Sequence, residues 1–186
     1  GFSGEWEEKT LGEVANITMG HSPSSKYYNR DGKGVPLIQG NADIRDRKTI
    51  KRVFTTETTK SCNKGDLIMS VRAPVGEVAK AVFPACIGRG VCALSSPNGF
   101  LYHALLFAES RWSVYSKGST FDSITSKDVN DFPLRYPSSQ DEQYAIAKVL
   151  SDMDAEIDAL EQKRDKTKLI KQGMMQELLT GKTRLV

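Results

Sequence analysis

The side chains able to do covalent or metal chemistry are few, and their spacing does not suit it. Histidine occurs only at His21 and His103, far apart in sequence, and His103 falls on an expected helix as a partly buried or surface residue. Cys62, Cys86 and Cys92 form an odd set without a C-x-x-C pair, which speaks against a disulfide framework and against a zinc knuckle. They read as apolar thiols buried in a reducing cytoplasm. There is no G-x-S-x-G elbow and no H-E-x-x-H helix. Thr180-Gly-Lys-Thr183 imitates a phosphate loop, but the first glycine of that motif would fall at Gln176, and the segment ends a helix where a phosphate loop begins one. Gly32-Lys-Gly34 lacks the third glycine of a dinucleotide fingerprint, because position 37 is Leu. Glu161-Gln-Lys163 lies mid-helix as charged surface, and no N-P-P-Y or D-P-P-Y tetrapeptide for methyl transfer occurs. The expectation is a non-enzymatic chain with no metal and no cofactor.

What the chain offers instead is unevenly placed charge. Residues 1–139 hold eighteen basic and fourteen acidic side chains, whereas residues 140–186 hold eight and nine. Within the first part, 26–52 carries Lys26, Arg30, Lys33, Arg45, Arg47, Lys48, Lys51 and Arg52 against Asp31, Asp43 and Asp46. A local field of that sign attracts phosphate. No run approaches the ~18 apolar residues of a membrane span, and the N-terminus lacks a basic-then-apolar leader. A cytoplasmic chain with no membrane partner is expected, and Gly1 points to one that was processed, trimmed or cut from something longer.

The elements that must position these charges divide near residue 137. Before it, apolar β-prone runs (Val35–Ile38, Leu67–Val71, Glu77–Phe83, Val91–Leu94, Phe132–Tyr136) alternate with Gly- and Pro-containing turns such as Asn63-Lys-Gly65 and Pro97-Asn-Gly99. One helix is expected from Phe100 to Tyr115, with Leu101, Leu105, Ala108 and Trp112 at helical spacing and Gly118 after its end. This part reads as a mixed α/β globule of about 135 residues, large enough to bury a core.

From Ser139 to Thr180 proline is absent and Gly173 is the sole glycine. Ser139 and Glu142 have capping-box spacing, and Asp141 and Glu142 suit the positive end of a helix dipole. Alternating steps of four and three pick out Ile146, Leu150, Met153, Ile157, Leu160, Arg164, Thr167, Lys171, Met174 and Leu178, the seam pattern of a coiled coil. The three polar members fall together. Either the register slips there, with Ile170, Met174 and Leu178 continuing at steps of four, or the seam is polar by design. Gly181 supplies a stop. The whole is expected to be α+β: a globule over residues 1–138, then a long helix over 139–186 that needs a partner helix.

These residues carry a resemblance. Gly1-Phe-Ser-Gly-Glu-Trp-Glu-Glu-Lys9 with Leu11-Gly-Glu-Val14 resembles the start of a target-recognition domain in the specificity (S) subunit of type I restriction–modification systems. Gly20-His-Ser-Pro-Ser24 with Tyr27 and Tyr28, Gly118-Ser-Thr120, Ile124 and the exit Asp131-Phe-Pro-Leu-Arg-Tyr-Pro137 match as well. The strongest match is in the helix: Asp141–Ala147, Leu150–Ile157, Ile170–Met175 and Leu178–Leu185. A complete S subunit of that family has two recognition domains and two long antiparallel spacer helices. Each domain reads one part of a split DNA target, and the helix region docks modification subunits that carry the methyltransferase. With one domain and one helix, this chain resembles half of such a subunit, either natural or excised.

The resemblance implies double-stranded DNA as a partner, together with methyltransferase (modification) subunits and, through them, a restriction subunit. It also implies a homodimer or a second S-subunit half, held through an antiparallel coiled coil along Ile146, Leu150, Met153, Ile157, Leu160, Met174 and Leu178. Base edges are read by Arg or Lys at guanine and by Asn or Gln at adenine. The candidate DNA-binding residues are therefore His21, Ser22, Ser24, Lys26, Tyr27 and Arg30, then Gln39, Asn41, Arg45, Arg47 and Lys48, then Arg72, Arg89, Lys117, Ser119 and Thr120. Arg72 and Arg89 stand beside small or rigid residues, where backbone could approach DNA closely. The alternative reading is a free-standing dimeric DNA-binding regulator.

Overall fold

The computed structural model describes residues 2, 4–116 and 123–185. The chain forms two compact units, Gly1–Tyr144 and Ala145–Val186. In chain order the first begins with β1 (Trp6–Thr10), α1 (Leu11–Val14), β2 (Asn16–Met19), β3 (Tyr28–Asn29) and β4 (Val35–Ile38). Short strands follow: β5 (Ile44–Arg45), β6 (Lys48–Thr49), β7 (Val53–Thr55) and β8 (Ser61–Cys62). Then come β9 (Leu67–Ser70), β10 (Val78–Lys80), β11 (Ala85–Ile87) and β12 (Val91–Ser95). The unit closes with α2 (Phe100–Ala108), α3 (Trp112–Ser116), α4 (Ser126–Asn130) and β13 (Pro133–Pro137), and α5 (Gln140–Leu178) leads out of it. The expected α+β class is the one observed.

Two larger sheets, ordered β2-β12-β9-β10-β6-β5 and β3-β7-β4-β11-β8, make the body of the first unit. Leu67–Met69 and Val91–Leu94 are buried along their whole length, and this is why they read as continuous apolar runs and not as alternating ones. One core joins the sheets: Ile38, Ile68, Ile87 and Val91 pack with Cys62, Ala79, Ala81, Ala85 and Ala93, and Phe83 lies against them. The many alanines let the sheets approach closely. The three cysteines are free and buried, and burial pushes the Cys92 thiol up to about 12, so it stays unreactive. At the other side β1 pairs antiparallel with β13, Trp6 opposite Pro137 and Thr10 opposite Pro133, tying the start of the unit to its exit.

The helix expected over 100–115 is broken. A 3-10 turn at Glu109–Arg111 separates α2 from α3. Trp112 is fully buried and stacks on Phe132, with ring centroids 3.7 Å apart, while Glu109 meets the Arg47 guanidinium through two bonds of 2.9 and 2.8 Å. The tighter turn serves both contacts. Gly76, at φ +89°, leaves room for Trp112, against which any Cβ would collide.

The first turn of α5 is anchored within the first unit. Gln143 Nε2 donates to the Pro137 carbonyl (2.7 Å), and Asn98 Nδ2 donates to Gln143 Oε1 (2.6 Å). The expected capping box is only half made. Ser139 Oγ accepts from the Glu142 amide (3.4 Å), but Glu142 Oε1 turns instead to the Trp6 indole N–H (3.2 Å). In the second unit α5 continues to Leu178, for 39 residues in all, about 60 Å at 1.5 Å per residue. Gly181 sits at φ +73°, and the Thr183 amide donates back to Glu177 (3.1 Å), a left-handed C-terminal stop.

Candidate nucleic-acid interface

Strands β4 and β11 run parallel, with Ile38 beside Ile87. The segments that leave their ends, 39–41 and 88–90, therefore emerge side by side. The segments leaving β2 and β9 arrive at the same place, because both strands pair with the beginning of β12: Met19 is opposite Cys92, and Ser70 is opposite Val91. The result is a cleft of about 610 Å³ lined by Ser22–Ser25, Tyr28, Gln39–Asn41, Arg72, Ala73, Arg89 and Gly90.

Backbone contacts hold its floor. The Gly88 amide donates to Ile38 (2.7 Å), Gly20 to Val91 (3.0 Å), His21 to Ile87 (2.9 Å) and Val71 to Gly90 (2.9 Å). The Arg89 amide donates to Ser22 Oγ (3.0 Å). A Cβ on Gly20 would collide with the Gly88 carbonyl, and one on Gly90 with the Gln39 carbonyl. The glycines flanking Arg89 thus allow a close approach between segments of the protein itself. Thr59 Oγ1 donates to the His21 carbonyl from outside the cleft.

The cleft is cationic and amide-rich. Arg72 and Arg89 are exposed, and among the described residues no side chain bonds to either guanidinium. Asp43, buried beneath, is already engaged: it accepts from the Gln39 amide (2.8 Å) and lies 3.4 Å from Arg52. Gln39 Nε2 donates to the Tyr28 hydroxyl (2.8 Å), which donates to the Pro23 carbonyl (2.9 Å). Such a surface offers many donors and a few fixed acceptors to an anionic, hydrogen-bonding ligand. Among the described residues no group of His, Cys, Asp and Glu could hold a metal, and no helix is long and apolar enough to cross a membrane.

Of the residues nominated from sequence, Ser22, Ser24, Gln39, Asn41, Arg72 and Arg89 line this cleft together. His21, Lys26, Tyr27 and Arg30 do not, although Lys26 Nζ sits 4.8 Å over the Tyr27 ring. Arg45, Arg47 and Lys48 belong to the β5–β6 hairpin, whose turn residues Asp46 and Arg47 both have positive φ. The Arg47 guanidinium is occupied by Glu109 and, at 3.3 Å, by the Val78 carbonyl, and the Glu109 hydrogen bonds raise its pKa. Its observed contacts hold the hairpin to the 3-10 turn. Lys117, Ser119 and Thr120 lie outside the described residues. Tyr28 was not nominated. The 3-10 turn at Ser25–Tyr27 decides that Tyr28, and not Tyr27, faces the cleft, and no periodicity announces that.

The second unit has surfaces of another kind. Met153, Ile157, Leu160 and Met174 are each more than half exposed, at 57%, 55%, 58% and 53%. Apolar grooves of about 310 and 380 Å³ occur at 145–150 and 167–179, the first including Ile146 and Leu150, the second Met174 and Leu178. Between them Arg164 lies 2.8 Å from Asp165 and 3.3 Å from Glu161 on its own helix. Its hydrogen bond lowers the Asp165 pKa, and Asp165 raises that of Arg164. Thr167 Oγ1 likewise donates to the Lys163 carbonyl (2.8 Å), so these two polar members of the seam bond along their own helix.

A mixed-sheet body with an arginine-and-amide cleft, continued by a helix with an apolar seam, is the make-up of a recognition module. The chain belongs to the family described as the type I restriction modification DNA specificity domain, which matches residues 3–169 and whose business is recognition, not catalysis. A protein of Methanocaldococcus jannaschii provisionally named the MjaX type I restriction enzyme specificity subunit is 35% identical over 97% of this chain and 44% of its own length. The EcoBI specificity subunit of Escherichia coli is 27% identical over 95% and 39%. Among solved structures, the HsdS subunit of Thermoanaerobacter tengcongensis superposes with a TM-score of 0.72 at 30% identity, over 95% of this chain and 45% of that one. A chain from a study of assembly and conformational transition in a type I R-M system gives 0.74 at 33%, over 95% and 46%. This chain therefore spans less than half the length of these relatives.

Proposed function

We propose that this chain is the DNA-reading half of a type I specificity subunit, in which residues 1–138 recognise one half of a split duplex target and residues 139–186 form the spacer. The meeting of six of the candidate polar residues in one cationic cleft carries this reading. Arg72 and Arg89 supply charge to phosphate or bidentate donors to guanine, and Ser22, Ser24, Gln39 and Asn41 supply the short-range hydrogen bonds that distinguish bases. The helix supplies the second element. Its exposed seam pairs antiparallel with a second copy, or with the other half of a longer subunit, and sets the distance between half-sites. The helix region also docks methyltransferase subunits, through which a restriction subunit is reached, in the cytoplasm.

Two copies related by a twofold axis read an inverted repeat of one half-site around a fixed gap. Because the net charge is only +3, the chain alone binds DNA weakly and the modification subunits complete the grip. Methylome sequencing of cells that express this chain with a type I modification subunit tests the proposal. The expected result is methylation at a gapped, palindromic motif that disappears without the chain. Methylation indifferent to the chain contradicts it.

A further inference from the structure

Gln39 is held from every side. Its backbone amide donates to Asp43 Oδ2 at 2.8 Å, its carbonyl lies where any side chain on Gly90 would collide, and its Cα and Cγ lie 3.3 Å from where a Cβ on Gly88 would stand. The side-chain amide is oriented too. The Tyr28 hydroxyl gives its only proton to the Pro23 carbonyl at 2.9 Å, since a carbonyl can only accept. Toward Gln39 the phenol is left as an acceptor, so the amide must present its nitrogen there, at 2.8 Å. That leaves Oε1 and the second N–H uncommitted, and no described residue donates to Oε1. Asn41 lines the same cleft, but no described partner fixes its amide. Arg72 and Arg89 offer donors only.

Resting on the DNA reading proposed above, we infer that Gln39 is the adenine-selecting side chain of this cleft: Oε1 accepts from the N6 amino group while the free N–H donates to N7. In the major groove adenine alone pairs a donor with an adjacent acceptor in this way. Guanine would set its O6 against Oε1, and both are acceptors. The phenol and the Pro23 carbonyl act as positioning groups that prevent the amide from turning over and accepting guanine.

The test uses the full chain assembled with a type I modification subunit, at low salt, with a pool of duplexes randomised at the centre, sequencing what is bound. The wild-type chain is expected to enrich a motif containing an adenine. Gln39→Leu should erase preference at that one position, a loss of about fivefold to 150-fold, and leave the other positions intact. Gln39→Glu, with two acceptors, should move the same position toward cytosine, whose N4 amino group donates. Tyr28→Phe, which leaves Gln39 itself in place, should relax that position alone by admitting guanine. A wild-type motif that Gln39→Leu leaves unchanged, or a change confined to G·C pairs, overturns the assignment while the DNA reading stands. So does an equal loss at all positions in all three variants, which would make Gln39 a fold residue. If the wild-type chain enriches nothing, the DNA reading fails and this inference with it.

Discussion

The two units hold themselves together over different distances. In the first, side-chain bonds join residues remote in sequence: Arg47 to Glu109, Trp6 to Glu142, Ser22 to the Arg89 amide and Asn98 to Gln143. In the second, bonds such as Lys148 to Asp152, Arg164 to Glu161 and Asp165, Thr167 to Lys163, and Lys182 to Glu177 join residues five or fewer positions apart. The first unit buries Leu, Ile, Val, Phe and Trp, whereas the second leaves Val149, Met153, Ile157, Leu160, Leu169 and Met174 exposed. A helix draws most of its stability from packing an apolar face, and local pairs contribute only about 0.2–0.5 kcal/mol each. The comparison teaches that the body buries its own apolar residues whereas the helix leaves its apolar face open, the difference on which the proposed pairing rests.

The largest expected effect separates the two directly. Trp112→Ala removes a fully buried side chain stacked on Phe132 and should cost about 3–5 kcal/mol, seen as a fall in the urea midpoint of the first unit. Ile157→Asp touches no core, so that midpoint should hold, but a charge in the seam should convert a concentration-dependent dimer into a monomer in sedimentation equilibrium. A loss of body stability in Ile157→Asp would mean that the helix also serves its own body. Arg89→Ala should leave both folding and pairing alone. If it reads a base, it should cost ~1–3 kcal/mol at one target position; if it contacts phosphate, it should weaken all sequences alike and lower the salt slope by about one.

A smaller effect concerns pH. The Asp128 carboxylate accepts from the Thr125 hydroxyl and amide at 2.6 and 2.7 Å, and these bonds lower its pKa below the ordinary 3.8. Glu13 is lowered likewise by Thr10. For a lowered carboxylate the stabilisation is present above the ordinary value and is lost as pH falls through the folded one. Both groups face solvent, so the loss should be confined to fraying of α1 and α4. Amide exchange at 11–15 and 126–130 should quicken as pH falls below 4, relative to the intrinsic exchange rate, while Ile68 and Leu94 stay protected.

Much of this architecture was legible in residue patterns, for physical reasons that also mark where legibility stopped. Val91–Leu94 and Leu67–Val71 announce buried strands because they are apolar on both faces, and α5 announces itself through sustained spacing and the lack of proline. The two-residue strands at 28–29, 44–45, 48–49 and 61–62 exist only by virtue of their neighbours. The Arg45–Lys48 hairpin carries Asp46 and Arg47 where a glycine or asparagine would have signalled the turn. In the cleft, residue chemistry could nominate Gln39, Arg72 and Arg89, because amides and guanidinium groups are what base edges require. It could not foresee that Arg47 would be taken up by Glu109, 62 residues away, or that Tyr28 would orient Gln39.

The claim that the body reads and the helix spaces is tested most directly by inserting one heptad into α5 within the seam, between Leu150 and Ile157, and repeating the methylome measurement. Seven residues add about 10.5 Å to the helix, roughly three base pairs at 3.4 Å per step. The account predicts an unchanged half-site separated by a gap longer by about that amount. A changed half-site, or the original gap retained with methylation intact, would contradict it.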